Sequence, residues 1–413
     1  MRLRTDLPRD VIAMAGVALS VALGFGVLSP AIPLFAKQFG VSATAAGAVV
    51  SAFALMRLLS GLGAGRLVDR IGERIGLAAG IGVVAVSSLL AGFAHSYSQL
   101  LILRGIGGIG SAVFGVAAIG LVLRVAARRI RGRAVGVYRT GFLIGGIVGP
   151  AVGSAVLGLS LRAPFFLYTA TLVLAGTVAL VFVSRPGATT ETTAEIVAEE
   201  KPQAVTQPQD TPEHESPGVE PTLLTVVRTR QYQAALVGNF AEGLSVFGIR
   251  SAIVPLLFME KLGVADAWVA VAFLVSSLVQ TVLMVPAGRW ADAIGRRPVM
   301  VIGSILAVIG LVLLGVDSAL WLGLAAMAVF GAGAAFLGTV PGALVGDVAG
   351  KRSGTVVAVF NMSSDFGAVI GPVLAGVLVD KGSFGAAFGF GAVVVALAGV
   401  SALRMRETAA LER

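Results

Sequence analysis

The sequence contains no cysteine and only two histidines in 413 residues. Without cysteine there is no disulfide framework, no thiol nucleophile and no cysteine metal site, and two histidines argue against a histidine-rich metal centre. Charged residues account for only 13% of the chain, about half of their share in soluble globular proteins. We therefore expect no metal, no cofactor and no water-soluble fold.

Apolar residues, in contrast, make up 56% of the chain, and the mean hydropathy is +0.93. Runs of about 20 apolar residues, enough to cross about 30 Å of hydrocarbon, recur from Val11 to Leu403. The sequence lacks the alternating segments of about ten residues that form outer-membrane barrels. It predicts an all-α polytopic protein of the lipid bilayer. The net charge of +9 does not indicate a nucleic-acid partner, because the cations gather in loops on one side of the membrane.

Charges and turn residues divide the apolar runs into twelve predicted membrane spans, numbered 1 to 12 in chain order. The predicted spans are 11–36, 43–67, 75–95, 97–124, 133–160, 163–184, 231–259, 267–289, 298–317, 319–346, 354–379 and 383–404. Residues 185–221 contain eight acidic residues and six prolines, a composition typical of a flexible segment. We expect an N-terminal six-helix bundle at residues 1–184, a flexible, acidic, Pro-rich cytoplasmic linker at 185–228 and a C-terminal six-helix bundle at 229–413.

Lysine and arginine are distributed unevenly over the predicted loops. Of the 31 cations, 23 lie on the side of the N-terminus, four lie on the opposite side and four lie within spans. Cytoplasmic loops carry the excess of positive charge in membrane proteins. We therefore expect both termini in the cytoplasm and a multi-pass protein of the cell membrane, such as a bacterial inner membrane.

The two halves of the sequence repeat each other at a nearly constant offset. The segment 65–74 recurs as 288–297, an offset of 223, and the Gly-x-x-x-Gly-Pro segment at 145–150 recurs at 367–372, an offset of 222. With six spans in each half, the repeats run parallel and are related by an axis along the membrane normal, as in two-domain secondary transporters.

At these repeated segments the chain resembles the major facilitator superfamily. The loop after span 2 and its copy after span 8 are similar to that family's Gly-x-x-x-Asp-Arg-x-Gly-Arg-Arg signature, although Glu73 and Ala293 stand where the signature has a cation. The resemblance implies a gating loop that latches the cytoplasmic side of the outward-open state, with an electrostatic role for Asp69. The gating residues are Gly65, Asp69, Arg70, Gly72 and Arg74 in the first copy and Gly288, Asp292, Gly295, Arg296 and Arg297 in the second.

Three other segments resemble motifs of proton-driven drug exporters. The segment around Arg104 in span 4 is similar to a motif whose arginine is associated with proton coupling, and span 1 has the Pro-x-x-Pro pattern of twelve-span drug exporters. By itself, a glycine every four residues in span 5 predicts close approach of another helix, which a tightly packed helix without a transport role also allows. The residues of span 5 that match an antiporter motif are Gly145, Gly149, Pro150 and Gly153.

Two carboxyl groups, Glu242 in span 7 and Asp365 in span 11, lie about 11 residues into their spans and so about 17 Å from the cytoplasmic edge. An ionisable group near the bilayer centre costs at least about 2.5–3.5 kcal/mol. Because burial favours the neutral form of a carboxyl group, both residues are candidates for proton coupling, together with Arg104. The alternative is that each carboxylate is permanently paired with an arginine and is structural.

The remaining intramembrane polar and aromatic residues outline a candidate substrate cavity. Guanidinium groups stay charged and can neutralise a carboxylate or hold an anionic cargo, and aromatic rings can form an apolar wall or face lipid. The candidate cavity residues are Arg57, Arg139, Tyr138, Phe142, Asn239, Arg250 and Asn361, with Phe25, Phe53, Phe114, Phe240 and Phe247 as further wall candidates.

Together these features predict a secondary active transporter that exports small lipophilic or drug-like compounds in exchange for protons, by alternating access. No nucleophile–base set indicates an enzyme. We expect a monomer whose partners are its small-molecule substrate, protons and the bilayer, driven by the proton gradient without a cofactor. Two alternatives remain open. One is a sugar or metabolite transporter of the same fold, favoured by Arg57 and Arg139, and the other is a non-transporting scaffold or sensor that uses the linker as a docking tail.

Overall fold

The computed structural model describes residues 8–126, 131–182, 223–316, 319–349, 353–405 and 407, which form helices and no strand. Within these residues, twelve helical segments are long and apolar enough to cross a membrane. Their helices are Arg9–Leu28 continued by Ala31–Lys37 (span 1), Ala43–Ile71 (span 2), Glu73–Gly92 (span 3), Tyr97–Val125 (span 4), Arg131–Leu157 (span 5), Ala163–Phe182 (span 6), Arg230–Lys261 (span 7), Asp266–Ala293 (span 8), Arg296–Gly315 (span 9), Leu320–Ala349 (span 10), Ser353–Lys381 (span 11) and Phe384–Arg404 (span 12).

The predicted all-α polytopic fold and its twelve spans are confirmed, with ends that differ by a few residues. A short helix, Leu223–Val227, occupies the last part of the predicted linker. The remainder of that segment, residues 185–222, lies outside the described residues. The division into two bundles and a flexible linker therefore stays a prediction in its boundaries.

Two glycines at equivalent positions of the repeat make the turns of the gating loops. Gly72 has φ +82° and Gly295 has φ +107°, a conformation that side chains with a Cβ atom rarely adopt. Gly72 lets span 2 pass directly into span 3. At Gly295 a Cβ atom would also lie 2.5 Å from the carboxylate of Glu407. The two copies of the loop, 223 residues apart, therefore share the same kind of backbone turn.

The glycine stripe of span 5 packs directly against span 1. A Cβ atom on Gly145 would lie 2.7 Å from the backbone nitrogen of Leu23, and one on Gly149 would lie 2.6 Å from the carbonyl oxygen of Leu23. In the second half, a Cβ atom on Gly371 of span 11 would lie 2.6 Å from the carbonyl oxygen of Leu244 in span 7. Backbones this close leave no space for side chains, so each of the two helix pairs is packed as a rigid unit.

Replacing Gly145 with alanine should destabilise the protein by about 1–3 kcal/mol, the usual cost of overpacking a filled contact. The matched control is Gly146→Ala, one residue along the same helix, where an added Cβ atom has no neighbour within 4 Å. Thermal unfolding of both purified variants in one detergent measures the difference. Equal unfolding midpoints would contradict the packing role of the stripe.

The two halves are joined at the face opposite the termini. The Lys37 ammonium lies 2.9 Å from the Glu260 carboxylate. Asp380 accepts hydrogen bonds from the backbone N–H groups of Ala43 and Thr44 at 2.8 and 2.9 Å. The carboxylate of span 11 thus caps the first turn of span 2, satisfying free N–H groups and complementing the helix dipole.

Residues that meet their own repeat equivalents show where the axis between the halves runs. Ser29 donates a hydrogen bond to Ser251 at 3.2 Å, and these two residues are 222 positions apart. Lys37 and Glu260 are separated by 223 positions and also touch. A residue can contact its equivalent only beside the symmetry axis, so both pairs lie next to it.

The absence of native cysteine allows the orientation to be tested with single introduced cysteines. His95 is exposed between spans 3 and 4, and Arg228 is exposed before span 7. With cytoplasmic termini, a membrane-impermeant maleimide added to intact cells should label His95→Cys and leave Arg228→Cys unlabelled until the cells are opened. Labelling after opening controls for reactivity, and the reverse pattern in intact cells would rule out this orientation.

Candidate functional site

A cavity of about 560 Å³ lies between the two halves, a volume typical of small-molecule sites. Its lining begins at Ser29 and Ser251, beside the axis, and extends along span 8 to Met284, toward the face that carries the termini. No carboxylate is among the described residues that line it. The aromatic lining residues are Phe25, Phe53, Phe114, Tyr138, Phe142, Tyr168, Phe247 and Phe273, and the polar ones include Arg57, Ser111, Arg250, Ser277, Gln280 and Thr281.

The structure brings part of the predicted cavity set together. Arg57, Tyr138, Phe142 and Arg250 line the cavity, as do four of the five further aromatic candidates. The others lie elsewhere: the side chains of Arg139 and Asn361 are exposed, Asn239 donates to the carbonyl oxygen of Phe360 at 2.6 Å, and Phe240 packs on Phe366 with ring centres 6.1 Å apart.

An ion pair between Arg57 of span 2 and Asp365 of span 11 joins the halves about halfway along both helices. The Arg57 side chain also lines the cavity, whereas Asp365 is not among the lining residues. Pairing offsets the cost of placing either charge in hydrocarbon. In this conformation Asp365 is therefore paired with an arginine, one of the two arrangements that the sequence left open.

Span 7 contains a π-helical segment, Gly243–Ile249, which follows Glu242 and precedes Arg250. A π-turn holds more residues than an α-turn. The eight steps from Glu242 to Arg250 therefore cover about the rotation of seven α-helical steps and bring both side chains to one face. Their charges interact electrostatically. The irregular backbone thus brings a carboxylate and a guanidinium group of one helix within electrostatic range of each other.

The two members of this pair occupy different places. Arg250 lines the cavity, where it donates to the Ser276 hydroxyl at 3.3 Å and lies 5.4 Å from the centre of the Phe273 ring. Glu242 packs against span 10, where a Cβ atom on Gly338 would lie 2.8 Å from its Oε1 atom. The carboxylate is kept out of the lining and still acts on a charge within it.

Arg104 is the most deeply buried of the four intramembrane arginines, with only 3% of its surface exposed. Its guanidinium carbon lies 4.5 Å from the centre of the Phe53 ring, a cation–π contact. The Tyr168 phenol lies near this guanidinium group. No Asp or Glu forms an ion pair with Arg104 in the part of the chain that the structure describes.

The two gating loops carry the same ion pair with opposite polarity. In the first half, Glu73 pairs with Arg124 at the end of span 4, whose Nε donates to Oε1 at 3.1 Å. In the second half, Arg296 pairs with Asp347 at the end of span 10 at 3.4 Å, and also with Asp292. Glu73 corresponds to Arg296 and Arg124 to Asp347 at the offset of 223. The departure of Glu73 from the family's signature is matched by a cation at position 124.

Other gating residues contact their own half. Arg74 donates to the carbonyl oxygen of Leu180 at the end of span 6. The Glu407 carboxylate accepts hydrogen bonds from the backbone N–H groups of Arg296 and Arg297 at 2.7 and 3.0 Å and so caps span 9. The side chains of Asp69 and Arg70 are exposed. The latch expected of Asp69 stays a prediction.

Reversing one member of the first gating pair should destabilise the protein, and reversing both should restore its stability. Glu73→Arg places a second cation beside Arg124, and adding Arg124→Glu recreates the polarity of the second half. The Arg124 side chain is 47% exposed, so we expect an effect of about 0.2–1 kcal/mol, reduced by salt. Thermal unfolding of the two single variants and the double variant measures the coupling. A double variant as unstable as Glu73→Arg would exclude a direct pair.

Twelve membrane helices in two parallel repeats around a central cavity are the architecture of a membrane transporter. The family model described as Major Facilitator Superfamily matches residues 14–241 and 235–412. The chain belongs to the major facilitator superfamily, as its motifs predicted.

Relatives of this chain include bacterial resistance proteins. It is 25% identical to "Multidrug resistance protein 2" of Bacillus subtilis (strain 168) over 363 residues, 87% of this chain and 86% of that protein. It is 26% identical to "Quinolone resistance protein NorA" of Staphylococcus aureus over 166 residues, 40% of this chain and 43% of that protein. The solved D-xylose-proton symporter has a TM-score of 0.74 at 14% identity, covering 96% of this chain and 98% of that chain, a likeness of fold.

Sequence reasoning missed the contribution of span 8 to the cavity. Ser277, Gln280 and Thr281 line it, and their spacing of three and four residues places them on one face of a helix. A polar stripe of this kind in an otherwise apolar span was a readable signal. Tyr168 and the pair Ser29 and Ser251 carried no comparable signal, because their positions depend on how the helices pack.

Proposed function

We propose that this protein exports small lipophilic or drug-like compounds in exchange for protons, by alternating access. The observation that carries the proposal is an aromatic cavity between the halves, with Arg250 in its wall and Glu242 behind that arginine. Aromatic walls bury apolar cargo through large contact areas. Similarity to "Multidrug resistance protein 2" over most of the chain supports export of drug-like compounds.

Cargo and proton exclude each other through the charge on Arg250. With Glu242 ionised, the pair is neutral overall and the wall accepts an apolar or cationic cargo. With Glu242 protonated, the guanidinium charge has lost its partner, and covering it with apolar cargo removes it from water without compensation. Proton binding therefore weakens cargo binding, which is the requirement for exchange.

The closed face and the proposed orientation together fit the cargo-loading state of an exporter. The halves are joined at the face opposite the termini. With both termini in the cytoplasm, the cavity lies on the side that loads cargo from the cell. One inward charge gains about 2.3 kcal/mol per 100 mV, enough for a cargo gradient of about 50-fold. In this scheme a monomer works without a cofactor, and the bundles 1–184 and 229–413 rock against each other.

Neutralising Glu242 should separate energised transport from exchange. Glu242→Gln should abolish uphill, pH-gradient-driven transport in everted vesicles, because the amide can no longer bind or release a proton. Counterflow in proteoliposomes should continue but require a higher cargo concentration, because the amide resembles the protonated carboxyl group, which weakens cargo binding. Glu242→Asp, which keeps the carboxyl group, should retain part of the uphill transport. Asp365→Asn should slow both processes, because it removes the contact with Arg57 that joins the halves.

Two results would overturn the proposed coupling. One is the absence of substrate-induced proton release from the lumen of everted vesicles for a compound that counterflow identifies as a substrate. The other is intact pH-gradient-driven pumping in the double variant Glu242→Gln/Asp365→Asn.

Transport of a polar metabolite is the second candidate function, and the presence of Arg57 and Arg250 in the wall favours it, because guanidinium groups bind carboxylates and phosphates. Counterflow with a panel of lipophilic cations, neutral drugs, sugars and phosphorylated metabolites at two pH values separates the two. Exchange confined to sugars or phosphates would favour the second candidate.

A further inference from the structure

A narrow cleft of about 40 Å³ adjoins the main cavity beside the axis between the halves. It shares the side chains of Ser29, Arg57 and Ser251 with the cavity, and Arg104 lines it from span 4. The remaining wall is apolar, and no Asp or Glu is among its described lining residues. We call this space the Arg104 cleft. Its polar groups are therefore two guanidinium groups and two hydroxyl groups.

The charges around the cleft do not balance. Arg57 is paired with Asp365, and Arg250 interacts with Glu242. The neighbours of Arg104 are the Phe53 ring and the Tyr168 phenol. Arg104 has no carboxylate partner within the residues described. Three guanidinium groups thus face two carboxylates, and the excess positive charge belongs to the most deeply buried arginine.

The two guanidinium groups of the cleft also carry unsatisfied donors, whereas its two hydroxyl groups are hydrogen-bonded. The Nε atoms of Arg57 and Arg104 are both buried and have no hydrogen-bond partner among the described residues. Both Nε atoms are sealed from the open space of the cleft, so a ligand in the cleft meets the terminal guanidinium nitrogens, and because a guanidinium group offers only donors, that ligand has to accept hydrogen bonds. Buried donors normally find a partner, and a buried charge normally finds an opposite one. An anion meets both requirements.

We propose that the Arg104 cleft binds one small anionic group. The volume of the cleft suits a few water molecules or a group the size of a carboxylate or a chloride ion, and excludes an aromatic ring. Two sources share this chemistry: the carboxylate of an aromatic cargo whose body occupies the adjoining cavity, and free chloride. The first source rests on the proposed function and makes aromatic carboxylates a substrate class, whereas the second does not.

Equilibrium binding to the purified full-length protein tests the proposal with three probes. These are 2-naphthoate, its neutral analogue 2-naphthamide, and sodium chloride compared with sodium gluconate at equal ionic strength. The variants are Arg104→Met, which removes the charge, Arg104→Lys, which keeps the charge but loses the planar guanidinium group, and Arg228→Gln, a control at an exposed arginine. Calorimetry gives the affinities, and thermal unfolding reports the effect of chloride.

If the cargo supplies the anion, wild-type protein and Arg228→Gln should bind 2-naphthoate at least about tenfold more tightly than 2-naphthamide, since a hydrogen bond to a charged group is worth more than tenfold in affinity. The preference should vanish in Arg104→Met and be reduced in Arg104→Lys. If chloride is the source, chloride but not gluconate should raise the unfolding midpoint, and Arg104→Met should lose this effect.

A cleft that holds only water gives a different result. Wild-type protein would then bind the two naphthalene probes alike, or neither, and chloride and gluconate would have the same effect, which would overturn the proposal. A preference or chloride effect that survives in Arg104→Met would also overturn it. If Arg104→Met does not fold, the comparison of probes on wild-type protein and the weakened response of Arg104→Lys still decide.

This experiment is independent of proton coupling, because binding is measured without a gradient. Loss of pH-driven pumping with anion binding intact contradicts the proposed function alone. If binding does not depend on the charge of the probe while pumping is intact, only the proposal of an anion site in the Arg104 cleft is contradicted.

Discussion

Keeping unbalanced charge out of hydrocarbon is the constraint on which the rest of this structure depends. An ionisable group at the bilayer centre costs at least about 2.5–3.5 kcal/mol, so each one needs compensation. Arg104 has no carboxylate partner among the described residues and lies over the Phe53 ring. Arg57 is matched by Asp365 across the interface between the halves, and Arg250 is matched by Glu242 across a π-helical turn. The first pair lies between the halves, so its contact depends on how the halves are positioned. The second pair places a charge in the cavity wall. A transporter has to couple both its conformation and its binding site to charge.

The two halves of the sequence repeat each other, and residues that are equivalent in the repeat meet where the halves touch. Ser29 touches its equivalent Ser251 at the axis, and the glycine-rich helices of both halves pack on their neighbours in the same way. The gating pair keeps its position in the two halves while its polarity reverses between Glu73 with Arg124 and Arg296 with Asp347. Coulomb attraction is unchanged when the partners exchange sign, so the repeat preserves the contact rather than the residues. Each half is thereby held together at its gating loop without help from the other.

The close helix contacts within each half are the packing that the proposed rocking of the bundles has to keep intact. Spans 1 and 5 touch through backbone atoms around Gly145 and Gly149, and spans 7 and 11 do so around Gly371. Contacts of this kind resist sliding, because the interior is close-packed. The halves also meet through polar contacts, such as the Asp380 cap on span 2, and through close backbone packing of spans 2 and 11, where a Cβ atom on Gly47 would overlap the carbonyl oxygen of Pro372. The proposed rocking of the bundles has to break these contacts between the halves and keep those within each half.

The sequence by itself determined the twelve spans, the repeat and the family, because a run of about 20 apolar residues is a local property and a repeated motif needs no knowledge of packing. It also located Arg57, Arg104 and Glu242 as costly residues. Only the tertiary structure decided which of them face the cavity, because neighbouring helical positions differ by about 100° in direction: Tyr138 lines the cavity and Arg139 beside it does not. Ion-pair partners such as Arg57 and Asp365 come from distant parts of the chain, so no periodicity in the sequence could have paired them.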